Sequence, residues 1–435
     1  MSRIVISNPT HHAVARRPLA GLTISFISGL WLASVLTVPI CVCCVAGALL
    51  LLAALRLPAA AANAALALAV ICVAMARGGM ERENRPELLH GAYWSRGRRA
   101  EPGPPAAGIR EGAAEILRLG LEPHHDEHVL LQALLLGKRD GLGRDRLRVY
   151  ERTGTRHIFA LSGLHTGLLS LLFITLLRSA GVGRKHWIFL LAPLLAGFLA
   201  VTGVRPSASR AALMALLYWG APALRRRPDP WSAVALAAMI VLMVDPGQLG
   251  SPGFILSFVA VTGILACTGR LNEAFRRSGI ADSFRYVPGA VTLLSVSLGA
   301  WIALAPFCAA FFGRLCPAAP LINTCILPVI TLVVLAGVLS LTLGWFWPLW
   351  AEVYNHAAGV LIGAVDHLLA RAAEMPGICC AVAPPSATDA LLWYSGWGMA
   401  LFASRPAVRR QGAGLVMLAV VATAIRGLLG RMAIA

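Results

Sequence analysis

From Ile158 to Leu177 the chain reads IFALSGLHTGLLSLLFITLL, a run with no Asp, Glu, Lys or Arg. At 1.5 Å of rise per residue, about 20 apolar residues cross the hydrocarbon core of a bilayer as a helix. Comparable runs recur along the chain, at Leu19–Val38, Ile40–Leu55, Ala60–Ala76, Trp187–Val201, Trp231–Val244, Pro288–Phe312, Ala319–Leu343 and Gly414–Leu429. Backbone groups in hydrocarbon must be paired within the protein, and these runs are too long and too uniformly apolar for barrel strands. The chain therefore reads as an all-α polytopic membrane protein, with roughly 13 transmembrane or re-entrant helices and one polar extracytoplasmic segment. Composition agrees: 58% of the residues are hydrophobic, 13% are charged and the mean hydropathy is +0.72, where soluble domains carry about a quarter charged residues.

The charged residues sit between the runs. With the N-terminus in the cytoplasm, Arg16–Arg17, Arg56, Arg178–Lys185, Arg225–Arg227, Arg270–Arg285 and Arg405–Arg410 all fall on the inner side, as the positive-inside rule requires. The long segment Arg77–Arg156 then lies outside; it mixes acids with bases, and long loops cross the membrane largely regardless of charge. The formal net charge of +18 fits an anionic partner such as nucleic acid, but cytoplasmic-loop arginine accounts for most of it. Residues 1–76 form a first group of spans, 77–132 a polar extracytoplasmic segment, and 133–435 a larger membrane domain. Residues 1–18 and the first run lack a clean cleavage site, so they do not read as a cleaved signal.

Some recognisable chemistries are missing. Gly137–Lys138 is not a P-loop: Gln132 stands where the first glycine belongs and Arg139 where Ser or Thr belongs. Ser162 and His165 are spaced i, i+3, yet no third member or oxyanion site accompanies them. The chain is not expected to be an enzyme or to carry a cofactor. HHDEH places His124 and His128 at i, i+4, a spacing that can chelate metal, and it also reads as the charged first turn of the helix running into VLLQALLLG. The ten cysteines form no framework; Cys41, Cys43, Cys44 and Cys72 lie in apolar runs. Cys379 and Cys380 precede a loop where oxidation depends on the compartment, and adjacent residues rarely bond to each other.

Polar residues at membrane depth are costly and tend to face a bundle interior or a hydrated path. His165 with Thr166 and the small residues Ser162, Gly163 and Gly167 form one such group, readable either as close helix packing or as pore lining. VTGVRPSASRAALMALL is another: Pro206 suits a helix start, and Arg210 then lies about one turn inside the helix. A helix N-terminus beside arginine favours anions, while an interfacial arginine reaching toward headgroups is the plainer alternative. DPGQLGSPG (Asp245–Gly253) interrupts the hydrophobic pattern with turn residues, either as an interfacial loop or as backbone facing a watery cavity. Asn323 is placed to hydrogen-bond across helices or to meet a passing polar group.

HIFALSGLHTGL resembles the "H-hydrophobic-SGLH-x-G" signature of the ComEC-type competence proteins, inner-membrane channels for single-stranded DNA. The match continues through ALLLGKRDGLGRDRLRVYERTGTRH upstream, Pro206, Ser207, Arg210, Ala211 and Met214 in a "PSxxRAxxM" helix, and a "DP…GFQLSF" block in which Ile255 replaces the usual glutamine. Asn323 and Pro328 match a further "N-x-hydrophobic-x-x-P" segment. The resemblance implies a multi-pass protein of the bacterial inner (cytoplasmic) membrane that passes single-stranded DNA during natural transformation. His165, Arg205 and Arg210 are then expected near the DNA path, with Ser162 and Asn323 supporting. A family-type oligonucleotide-binding barrel is not expected in 77–132, nor a metallo-β-lactamase-like nuclease domain after the last span. A DNA receptor, a nuclease and a cytoplasmic ATPase would be separate chains, and the sequence leaves homo-oligomerisation open. Two rival readings use the same residues: a secondary transporter of a small anion, and a membrane scaffold that has lost transport.

Overall fold

A computed structural model describes residues 18–36, 39–54, 59–84, 104–121, 125–138, 141–158, 163–279 and 289–432. Within them the chain is mostly helical, with sixteen α-helices and one short antiparallel ribbon. They are α1 Pro18–Val35, α2 Ile40–Ala54, α3 Ala59–Asn84, α4 Pro104–Ile116, α5 His125–Leu135, α6 Arg144–Arg152, α7 Gly163–Ser179, α8 Trp187–Thr202, α9 Pro206–Gly220, α10 Pro230–Val244, α11 Pro252–Arg277, α12 Ala290–Phe312, α13 Ala319–Gly344, α14 Pro348–Glu374, α15 Ala387–Phe402 and α16 Pro406–Met432. The ribbon pairs β1 Arg314–Leu315 with β2 Cys380–Ala381. Four helical stretches are long and apolar enough to cross a membrane: Arg184–Thr202, Pro252–Arg277, Ala290–Phe312 and Ala319–Gly344. Shorter apolar helices include Gly21–Val35, Asn63–Gly78, His165–Ser179 and Pro230–Val244.

The chain divides into two compact units: residues 1–98, 183–188 and 213–255, and residues 99–182, 189–212 and 256–435. In the first, α1 packs between α3 and α10. Gly29 permits this on one side, because a Cβ there would sit 2.4 Å from the Ile71 carbonyl oxygen. The hydroxyl of buried Thr23 donates to the Ala235 carbonyl at 3.0 Å. Arg77 donates to the Met243 and Val244 carbonyls at 3.3 and 3.2 Å, which satisfies two groups that the end of α10 leaves without intrahelical partners. The turn between α10 and α11 pairs its own polar groups. Asp245 accepts from the Gly247 N–H at 3.1 Å and the Gln248 amide at 3.0 Å, and Ser251 accepts from the Phe254 N–H at 3.1 Å, opening α11.

The second unit is built on the largest core, where Leu117, Leu121, Leu130, Leu131, Tyr150, Ile158, Ile326, Val333, Ile362 and Leu369 meet. The polar segment thus does not stay apart as a loop. Its helices α4 and α5 enter this core, and α5 runs without a break across residues 132 and 133. His128 is buried within α5; His124 lies outside the described residues, among which no cluster of metal ligands occurs. α6 is held to α14 by Asp366, which accepts from the Tyr150 hydroxyl at 2.6 Å and from Arg146 at 2.5 Å. Burial, with Asp366 beside it, pushes the Tyr150 phenol well above its usual range. The buried face of α14 runs through Ala351, Asn355, Ala358, Ile362, Val365, Leu369 and Ala372. Asn355 belongs to that face because its amide donates to the Ile116 and Leu119 carbonyls, at 2.8 and 3.0 Å, while accepting from Ser340 at 2.7 Å.

Cysteine pairing differs from the sequence expectation: Cys316 and Cys379 form a disulfide, joining loops 63 residues apart. Small residues set the tightest helix contacts in this unit. A Cβ on Gly263 of α11 would lie 2.4 Å from the Ala303 Cβ and 2.7 Å from the Gly299 carbonyl oxygen on α12, whereas one on Gly269 would meet nothing within 4 Å. Gly263→Val should therefore lower the melting temperature in detergent, with overpacking costing about 1–3 kcal/mol. Gly269→Ala should leave it unchanged or raise it, since alanine favours a helix interior by about 1 kcal/mol. Fluorescence-detected thermal melts compare the two.

Candidate functional site

The N-terminal turns of α9 gather three other motif blocks of the second unit. Pro206 opens the helix with its fixed φ and without an N–H to satisfy. Arg205 precedes it and donates from Nη2 to the carbonyl of Gly137, just after α5 and at the start of the GKRDG block. One turn on, Arg210 is 5% exposed and lies between buried Ala208 and Ala212. Burying a guanidinium without partners would cost several kcal/mol or more; Arg210 donates from Nη2 to the Ser257 hydroxyl of α11 at 2.9 Å. The neighbouring Ala211 receives α7: a Cβ on Gly163 would lie 3.2 Å from the Ala211 Cβ. The SGLH glycine is therefore the contact that lets α7 come this close.

The buried face of α7 is polar near the start and apolar further on, with Thr166, Ser170, Ile174 and Leu177 following each other at helical spacing. His165 is 4% exposed and Thr166 is fully buried. The Ser170 hydroxyl donates to the Thr166 carbonyl at 2.7 Å, within the helix, so it offers no proton to a passing group. The Thr166 hydroxyl has no hydrogen-bond partner among the described residues. Leu168 of α7, Val201 of α8 and Ile322 of α13 all pack on the main core, so these three helices share one hydrophobic support.

Of the residues expected near a path, Arg205 and Arg210 stand one turn apart on one helix start, and His165 lies on the helix seated against it. Asn323 lies in the second turn of α13, half-buried, its Oδ1 buried and without a hydrogen-bond partner among the described residues. Ser162 falls outside the described residues. Ile255, at the glutamine position of its block, is half-buried beside buried Phe254. Two participants had no assigned role from sequence: Ser257, within GFILSF, and the Gly137 carbonyl, within LLLGK. Both lie inside blocks singled out on other grounds, but neither a serine hydroxyl nor a backbone oxygen carries a pattern that names its partner.

A helical chain with several apolar spans, interrupted by arginine-rich turns and holding buried arginine at a helix start, is a multi-pass membrane protein. The chain belongs to the competence protein family, whose pattern it matches over residues 134–406. It is 26% identical over 265 residues to "ComE operon protein 3" of Bacillus subtilis, covering 60% of this chain and 32% of that protein. It is 28% identical over 210 residues to "Competence protein ComA" of Neisseria gonorrhoeae, covering 46% and 28%. It is also 28% identical over 198 residues to "Uncharacterized protein YcaI" of Escherichia coli, covering 43% and 26%. The chain thus spans between about a quarter and a third of the length of these curated relatives. No solved structure matches it.

Removing the Ser257 hydroxyl leaves a buried guanidinium short of one acceptor, a loss of about 1–3 kcal/mol. Ser257→Ala is therefore expected to lower the melting temperature, and Arg210→Met with Ser257→Ala to lose less than the sum of the single changes. A double-mutant cycle of thermal melts measures the coupling.

Proposed function

We propose that this protein is the membrane channel subunit through which single-stranded DNA enters the cell in natural transformation. In this reading about 13 helices cross or re-enter the bilayer, the N-terminus is cytoplasmic, and the basic loops between spans face the cytoplasm. The observation that supports it best is the convergence, inside the family-matched region, of GKRDG, SGLH, PSxxRA and GFxLSF on the first turns of α9. Blocks far apart in sequence meet where two arginines and a helix N-terminus concentrate positive potential.

A single strand carries one charge per nucleotide and needs a hydrated, cationic route. Arg205 and Arg210 supply that potential, with the Gly137 carbonyl and the Ser257 hydroxyl among the groups that hold them in place. Neither arginine reads base edges in this scheme, so sequence preference is weak and salt dependence strong. The chain acts as a conduit and not as a hydrolase.

The test is uptake of labelled DNA by a deletion strain complemented with wild type, Arg210→Lys or Arg210→Ala, with membrane levels matched by immunoblot. Wild type should restore uptake. Arg210→Ala should fall at least about tenfold short, equivalent to about 1.4 kcal/mol of transfer barrier, and Arg210→Lys should lie between. Full uptake with Arg210→Ala removes this arginine from the mechanism, and normal uptake by the deletion strain removes the protein from it.

A further inference from the structure

The ribbon pairs Arg314 with Ala381 and Leu315 with Cys380, and the Val382 N–H donates to the Gly313 carbonyl in the same register at 3.0 Å. Carried one residue further, that register sets Cys316 opposite Cys379, and there the disulfide lies, with the Cα atoms 4.0 Å apart. Register also explains the choice between adjacent cysteines. Neighbouring residues on a strand point to opposite faces, so Cys380 cannot face Cys316 while Cys379 does. Cys380 remains an exposed thiol.

Cys316 is a hub as well as a bonded sulfur. Its carbonyl accepts from the Trp301 indole N–H at 2.9 Å. Its Sγ lies 3.7 Å from the Arg152 carbonyl, and a Cβ on Gly154 would meet its Cβ at 3.1 Å. Gly154 has φ +72°, where a side chain would be strained. Beside it Arg314 and Arg156 both pair with Glu151, at 3.4 and 3.1 Å, and the Thr153 and Thr155 hydroxyls bond each other at 2.8 Å. The segment Arg152–Ile158, which leads into the SGLH helix, is thus moored on the bonded loop.

We propose that the Cys316–Cys379 bond is an oxidative modification made on the extracytoplasmic face, and that it is the clamp holding Arg152–Ile158 in place. The side follows from the orientation given above, which puts the loops after α12 and α14 outside together with the residues before α7; disulfides persist in that compartment. The clamp follows from the contacts alone, independently of DNA transport. In forming, each cysteine gives up one proton and one electron. The two electrons and two protons pass to the disulfide of an extracytoplasmic dithiol oxidant, which is left as two thiols.

Full-length protein is purified from membranes after alkylation of free thiols, and digested without reductant. A Cys316–Cys379 linked peptide with an alkylated Cys380 is expected, and a link through Cys380 or a free Cys316 overturns the assignment. In intact cells, a membrane-impermeant maleimide should label both cysteines only after external reduction; labelling that requires opening the inner membrane overturns the sidedness and the orientation behind it, while DNA transport itself is decided separately by the uptake assay. Hydrogen exchange of peptides covering residues 152–158 should speed up at least tenfold on reduction of the wild-type protein and in Cys316→Ser/Cys379→Ser. Peptides across the Gly263–Gly299 contact should stay unchanged in both, and Cys380→Ser should match wild type throughout. Unchanged exchange at 152–158 after reduction overturns the clamp.

Discussion

A buried guanidinium at the start of α9 sets the terms for much of the larger unit. Arginine cannot shed its proton in a protein, so at 5% exposure Arg210 must be met by acceptors. Ser257 on α11 is one, which fixes where that helix passes. The small residues beside it, Ala208, Ala211 and Ala212, allow the close approach of α7 through Gly163. Arg205, one turn earlier, reaches back to the carbonyl of Gly137 and so ties the helix to the end of α5. One charged helix start thereby organises segments more than a hundred residues apart.

Polar side chains also answer backbone groups at several helix ends. Arg77 covers the last carbonyls of α10. Asn355 covers those after α4, and the Asp245–Ser251 turn pairs within itself. Unpaired backbone groups away from water cost several kcal/mol each in hydrocarbon. In this protein long polar side chains stand in for the water that caps helices in soluble proteins.

The proposed channel adds a demand of its own: its cationic groups must be held in place while they face a polyanion. Ser257 and the Gly137 carbonyl help to position the two guanidinium groups. The proposed clamp of Cys316 and Cys379 acts at a different place, on the segment Arg152–Ile158, whose last residue is itself buried in the main core.

Apolar composition and length were enough to read α1, α8, α10, α12 and α13 from the sequence, because a bilayer imposes helices on long apolar runs. The family resemblance likewise drew attention to Arg205, Arg210 and His165, whose roles belong to the proposal. The HHDEH start marked α5, but the burial of α4 to α6 was harder to see, since it depends on α13 and α14 arriving from far along the chain. So were Ser257, the Gly137 carbonyl, Asn355 and the Cys316–Cys379 bond. Sequence alone determined that the long apolar runs are helical and where polar residues interrupt them. The tertiary structure decided their partners, because a hydrogen bond or a disulfide is fixed by distances of a few ångströms between segments whose separation along the chain carries no trace of that meeting.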